Sequence, residues 1–190
     1  MPNAFHPHNT NPSSRYPQAW DRATQVKLLV LDVDGVLTDG QVFIGPDGQE
    51  AFKSFDIQDG LGIKLLQQVG IPTAVITGRE SKMVLGRCTE LGINHVHMGV
   101  KDKAIALQEI LQALHLKPAD CAVMGDDWPD LAMMKSAGLR VCPAQAHVSV
   151  KDGAHFVTEA AGGKGAVREV CDLILKAQNQ YEGLLAQARG

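Results

Sequence analysis

Apolar positions along this chain fall into two alternating patterns. Short, nearly continuous apolar runs at Val26–Leu31, Thr73–Ile76, Ile93–Met98, Cys121–Met124, Arg140–Cys142 and His155–Val157 read as strands, most of them buried on both faces. Between them lie stretches of helical period. Gly60–Val69 carries Leu61, Leu65, Leu66 and Val69 on one face behind an Asp59 cap, and Ser81–Leu91 stops at Gly92. Lys103–Leu114 carries Ile105, Ile110, Leu111 and Leu114 behind an Asp102 cap; Leu131–Ala137 and Ala166–Ala177 follow. Strands alternating with helices at this spacing make βαβ units. The expected fold is therefore α/β and Rossmann-like, a parallel sheet flanked by helices.

Two stretches break the alternation. Gln41–Ile44 and Glu50–Phe55 flank Gly45-Pro46-Asp47-Gly48, which predicts a β-hairpin after the first strand. Its Val42, Phe43, Ile44, Phe52 and Phe55 are more apolar than a solvated hairpin tolerates. A contact between subunits through Gln41–Phe55 is expected, with folding back onto the chain's own core as the other option. Residues 1–24 are rich in Pro, Asn, Ser and His without period, and read as a disordered extension; isolated His6 and His8 carry no inference. The domain is placed at 25–178 and a C-terminal tail at 179–190. His95 and His97 alternate along their strand as ordinary half-exposed residues.

Composition narrows the class. At 190 residues the chain suits one domain, and a net charge of −3 offers no basic face for nucleic acid. No apolar run reaches the length of a membrane span. Cys88, Cys121, Cys142 and Cys171 lie far apart without a C-x-x-C, so buried thiols in a reducing, cytoplasmic setting are expected rather than disulfides or zinc.

Chemistry concentrates where strands end. Asp32 and Asp34 follow the first strand, Thr77 the second, Lys103 opens a helix, and Asp126, Asp127 and Asp130 follow the fourth strand. Each alone is a common cap, turn or surface residue. Together they converge on the carboxyl edge of one sheet, where open α/β folds bind ligands. Such a set suits phosphoryl transfer. A carboxylate approaches a phosphate dianion only when cations offset the charge, and Mg²⁺ takes oxygen ligands from one or two carboxylates plus phosphate. Asp32 and Asp126 supply carboxylates, and Asp34 its backbone carbonyl. Lys103 and the Thr77 hydroxyl meet phosphate oxygens, while Asp34 protonates the leaving alkoxide and then activates water.

Asp32–Asp39 (DVDGVLTD), Ile76–Arg79 (ITGR), Lys103 and Gly125–Asp127 (GDD) resemble, in order, the four motifs of the haloacid dehalogenase (HAD) superfamily, over about residues 26–178. The longer stretches VLTDGQVFIGPDGQE, FDIQDGLGI, ITGRES, GDDWPD and AGGKGAVREVCDLIL are similar to its capless phosphatases of an eight-carbon keto sugar-acid phosphate in lipopolysaccharide synthesis. The resemblance implies a Mg²⁺-dependent cytoplasmic homotetramer without a cap domain, in which hairpins assemble and neighbours stand in for the cap. It implies Asp32 as nucleophile, Asp34 as acid/base, and Asp32, Asp34 and Asp126 as metal ligands. Thr77, Gly78 and Lys103 would bind phosphate, Arg79 and Arg87 the sugar acid, with Gly162–Gly165 at the entrance and Asp127 and Asp130 in support. A phosphatase of a nine-carbon keto acid phosphate and a non-catalytic oligomerisation domain stay open as alternatives. A phospho-acceptor signalling domain is disfavoured, because Asp34 promotes hydrolysis.

Overall fold

The computed structural model describes residues 16–190. A six-stranded, wholly parallel sheet forms its centre, in the order β5-β4-β1-β6-β7-β8. The strands are β1 (Leu28–Leu31), β4 (Thr73–Ile76), β5 (His95–His97), β6 (Cys121–Met124), β7 (Leu139–Cys142) and β8 (Phe156–Val157). A separate two-stranded hairpin holds β2 (Phe43–Ile44) and β3 (Glu50–Phe52). Helices are α1 (Pro17–Ala23), α2 (Ile57–Gln68), α3 (Lys82–Leu91), α4 (Lys103–Ala113), α5 (Leu131–Ser136), α6 (Val148–Lys151), α7 (Ala166–Ala177) and α8 (Tyr181–Arg189). The only insertion between β1 and α2 is the hairpin, so no cap domain stands there.

Period-2 alternation in β1 divides the core. Leu29 and Leu31 point into a cluster shared with α1, α2, α3 and α7, while Leu28 and Val30 point into one shared with α4, α5 and α6. Helices therefore cover both faces, which is why the strands read as continuous apolar runs. β1 lies between β4 and β6, so the chain reverses its order of addition at β1, and that reversal opens a crevice at the carboxyl ends. No described helix is long and apolar enough to cross a membrane, and all four cysteines are buried and unpaired.

Three local expectations are corrected. Asp59 does not cap α2. Asp56 does, its carboxylate accepting from the Gln58 and Asp59 N–H groups at 2.6 and 3.2 Å. Asp59 is instead buried against α7, accepting from the Arg168 N–H at 2.8 Å, so it caps the neighbouring helix. The buried face of α2 accordingly runs through Ile63 and Leu66, and Leu61 is exposed. In α4 the Asp102 cap forms as expected, but Ile105 is exposed and Ala106 and Leu107 take its place inside.

The termini carry the other corrections. Within the expected disordered extension, Pro17–Ala23 form a packed helix with Ala19 and Ala23 wholly buried. Arg22 Nη1 donates to the Gly138 carbonyl at 2.8 Å, and Gln178 Nε2 donates to the Ala23 and Val26 carbonyls. The lack of period there reflects a helix too short to show one, with small residues making the contact. Residues 1–15, with His6 and His8, lie outside the described residues. The expected C-terminal tail contains helix α8, which has no buried residue and leans on Lys176 through Tyr181.

Deleting residues 1–24 removes α1 and its hydrogen bonds. We expect it to lower unfolding free energy by about 2–4 kcal/mol, measured by urea titration. Unchanged stability would show that α1 contributes nothing to the core.

Candidate active site

The backbone dictates where the first carboxylates go. The Asp32 N–H donates to the Met124 carbonyl at 3.1 Å, extending β1 alongside β6 by one residue and bringing Asp32 level with Gly125. The chain then makes one wide turn over Val33–Leu37, closed by the Thr38 N–H on the Val33 carbonyl at 3.0 Å. Thr38, which the sequence reading passed over, is buried and its hydroxyl accepts from the Gly35 and Gly40 N–H groups. Gly35 has φ +90°, and an added Cβ would stand 2.0 Å from an Asp126 carboxylate oxygen. Only glycine allows Asp126 to rest against this turn.

Asp32, Asp126 and Asp130 each offer an oxygen within 4.8 Å of the other two. Lys103, the first residue of α4, enters this group from beneath, its Nζ 2.8 Å from Asp32 and 2.7 Å from Asp130. Asp130 is 1% exposed and fully engaged: Oδ1 accepts from Lys103, and Oδ2 from the Asp126 and Asp127 N–H groups at 2.9 and 3.3 Å. It therefore shapes the loop and seats the lysine. Asp127 is exposed and caps the short turn after it, accepting from the Trp128 N–H at 2.8 Å.

Crowding sets the electrostatics. Burial, then the Asp130 charge, pushes Asp32 up to about 6 against the pull of Lys103. Burial, then the Asp130, Asp32 and Asp127 charges, pushes Asp126 up to about 7. Burial works against the Lys103 ammonium, but Asp32 and Asp130 outweigh it and raise its pKa. The lysine alone leaves negative charge uncompensated. An all-oxygen donor set of this kind fits a hard divalent cation. Asp32 and Asp126 would hold it, since both Asp130 oxygens are already occupied.

The phosphate-binding candidates sit at the same edge. Thr77 extends β4, its N–H on the His97 carbonyl at 2.9 Å. Its buried hydroxyl accepts from the Arg79 N–H at 3.3 Å and keeps its own proton to donate. Gly78 is exposed beside it. Asp34 carries a cluster that the sequence reading missed. Lys53, from just past β3, forms an ion pair with Asp34 and another with Glu50 at 2.8 Å. Arg79 bridges the same two acids, Nη2 3.3 Å from Glu50 and Nε 3.8 Å from Asp34. Burial opposes the Lys53 charge, but Asp34 and Glu50 prevail and raise its pKa.

Arg87 is not drawn into this cluster within one chain. Its guanidinium bonds Glu90 at 2.9 Å and the Asp56 carbonyl at 3.0 Å, and lies over Phe55. Gly162 and Gly163 lie against the Asp32–Thr38 turn, with an added Cβ on Gly162 only 1.9 Å from the Gly35 carbonyl oxygen. Gln145, also missed, clasps both: Nε2 donates to the Gly35 carbonyl at 2.6 Å and Oε1 accepts from the Gly162 N–H at 2.8 Å. Thr38, Lys53, Glu50 and Gln145 act through tertiary contacts 17 to 110 residues away or through one turn, and no local pattern marks them.

Parallel sheet, carboxylates at the switch point and a buried lysine fit a haloacid dehalogenase-like hydrolase. Residues 93–170 match that family. A 3-deoxy-D-manno-octulosonate 8-phosphate phosphatase of Yersinia pestis is 46% identical over 162 residues, 85% of this chain and 86% of its own length. The phosphatase of the same name from Escherichia coli K12 is 45% identical over 169 residues, 89% and 87% of the two chains. The crystal structure of a Moraxella catarrhalis phosphatase of that name, in complex with a magnesium ion, a phosphate ion and a KDO molecule, superposes with TM-score 0.87 at 42% identity, covering 90% of this chain and 97% of that one. The chain belongs to the family of 3-deoxy-D-manno-octulosonate 8-phosphate phosphatases.

Metal dependence should show in stability as well as rate. Raised carboxyls stabilise the fold fully below about pH 4, their unfolded value, and that contribution is lost as pH rises through about 6 for Asp32 and about 7 for Asp126. Chelator-treated protein should therefore lose about 5 °C of melting temperature between pH 5 and 7.5. Mg²⁺ should restore it, because the ionised carboxylates bind the cation. Asp59, raised to about 6 by burial, adds a decline that Mg²⁺ leaves untouched. A melting profile identical with and without Mg²⁺ would contradict the assigned cation site.

Proposed function

We propose that this protein hydrolyses 3-deoxy-D-manno-octulosonate 8-phosphate to 3-deoxy-D-manno-octulosonate and phosphate, with Mg²⁺ as cofactor, in the lipopolysaccharide pathway of the cytoplasm. The observation that carries this reading is the buried Asp32–Lys103–Asp126 arrangement, in a chain 46% identical to a phosphatase of that name. Mg²⁺, when bound by Asp32, Asp126 and the Asp34 carbonyl, offsets the charge that keeps a phosphate dianion from a carboxylate.

The chain's own residues do the rest. Asp32 attacks phosphorus as the ester P–O bond breaks, giving an aspartyl-phosphate. Lys103 and the Thr77 hydroxyl hold phosphate oxygens, with backbone N–H groups near Gly78 completing the cradle. Asp34 gives its proton to the departing sugar alkoxide. It then takes one from the water that cleaves the aspartyl-phosphate, which returns Asp32. Arg79, half-exposed beside Asp34, meets the sugar acid carboxylate. Arg87 reaches the sugar acid only if a neighbouring subunit or the substrate rearranges its Asp56 and Glu90 contacts.

Purified protein with Mg²⁺ should hydrolyse the eight-carbon keto acid 8-phosphate at least about 10-fold faster than a nine-carbon keto acid 9-phosphate. Asp32→Asn should lower kcat by at least about 1000-fold, read as released phosphate. Preference for the nine-carbon substrate would replace the substrate assignment, and an unimpaired Asp32→Asn would remove the mechanism.

The hairpin supports a homotetramer. Ile44 and Phe52 are 62% and 53% exposed, Val42 also faces solvent, and Phe43 stacks on Phe52 at 4.3 Å. An apolar hairpin that shares no hydrogen bond ladder with the main sheet gains stability by packing on its copies. Ile44→Asp should convert a tetramer of the wild type to smaller species on light scattering. A wild-type monomer would refute the assembly.

A further inference from the structure

Lys53 is the hairpin side chain whose charge meets Asp34 directly. It directly follows Phe52, just past the end of β3, yet Phe52 is 53% exposed and the Lys53 side chain 1% exposed. Its ammonium meets Asp34 Oδ1 and, at 2.8 Å, Glu50 Oε1. Arg79 meets the other Asp34 oxygen, Oδ2, at 3.8 Å and shares Glu50 at 3.3 Å. Each oxygen of the Asp34 carboxylate thus has its own cation, and Glu50 ties the two cations together.

A part-buried ion pair of this kind adds little net stability, because desolvation of Lys53 offsets its attraction. Its geometric consequence is larger. Asp34 lies in a turn with no other side-chain partner than these two cations among the described residues, so the direction of its carboxylate is set by groups outside its own loop. Lys53 comes from the hairpin, which pairs only with itself.

We propose that Lys53 is a positioning residue for the hydrolysis, aiming the Asp34 carboxylate and thereby coupling the seating of the hairpin to proton transfer. The inference rests on the phosphatase reading above. Lys53 keeps its own protons throughout. Asp34 enters the first step protonated on Oδ2, the oxygen Lys53 does not hold, delivers that proton to the leaving alkoxide as the phosphoryl group passes to Asp32, and recovers one from the attacking water. A carboxylate swung away by even 1 Å serves neither step, a loss on the order of 100-fold.

The test separates the two half-reactions. Wild type, Lys53→Met and Lys53→Arg are compared on the eight-carbon keto acid 8-phosphate and on p-nitrophenyl phosphate, whose leaving group needs no proton. In Lys53→Met, kcat on the sugar-acid phosphate should fall about 100-fold with KM changed less than about threefold. On p-nitrophenyl phosphate it should release a rapid burst of about one nitrophenolate per site, larger than any wild-type burst, and then turn over slowly. Attack by Asp32 is spared there, while hydrolysis of the aspartyl-phosphate is not. Lys53→Arg should recover at least about a tenth of the lost rate. Lys53→Gln serves in the same assays if the methionine variant is insoluble. Unchanged kcat, or an equal loss on both substrates without a burst, overturns the proposal. A wild type inactive on both phosphates overturns the phosphatase reading instead.

Discussion

Three carboxylates whose oxygens lie within 4.8 Å, on the edge of an apolar sheet, are the constraint on which this structure depends. Like charges that close and that dry repel strongly, and the raised values of Asp32 and Asp126 express it. Lys103 neutralises part of the excess from below, and Asp130 is consumed in holding Lys103 and the Gly125–Asp127 backbone. What remains is a pair of carboxylates facing the crevice with charge left over. That surplus suits a divalent cation, and a cation held there would offset the charge that otherwise keeps a phosphate dianion away. The same repulsion that weakens the metal-free fold therefore creates the binding site.

Holding such a group requires the surrounding backbone to be closely fitted. Gly35 gives way to Asp126, and Gly162 gives way to the Gly35 carbonyl. Gln145 bonds both loops with opposite ends of one amide. Asp59 fixes the start of α7, the helix that the Gly162–Gly165 loop enters, from the opposite side. The turn after β1 is therefore clamped between the β6 loop and the α7 loop, which fixes Asp32 and Asp126 against one another. Rigidity at the first turn is what a covalent mechanism needs, since attack and release must occur at one oxygen position.

Much of this was readable in the chain because the informative signals are local. Apolar runs marked the strands, and the strand-end residues Asp32, Asp34, Thr77, Lys103 and Asp126 follow directly from those ends. The strand ends bring Asp32, Asp126 and Asp130 together in the sequence reading, but the division of labour between Asp126 and Asp130 is not visible there. That division depends on which oxygens are already bonded. An acid before an apolar helical face need not cap that helix: the packing of α2 on α7 turns Asp59 to the Arg168 N–H and leaves the α2 cap to Asp56. α1 escaped notice because seven residues with small buried side chains carry no period. Glu50 and Lys53 carry no local signal, since nothing nearby in sequence indicates that the strand folds over Asp34.

That fold-over gives the hairpin two faces with different tasks. Its outward apolar side chains, Val42, Ile44 and Phe52, gain by meeting other apolar surface, while its inward Lys53 gains by meeting Asp34 and Glu50. Two short strands cannot hold their position alone, so the proposed outward contact and the inward ion pair would stabilise one another. Removing the apolar contact loosens the strand that carries the lysine; removing the lysine releases the strand from the crevice. With no cap domain among the described residues, this mutual dependence is how the fold would link the packing of the hairpin to the direction of the Asp34 carboxylate.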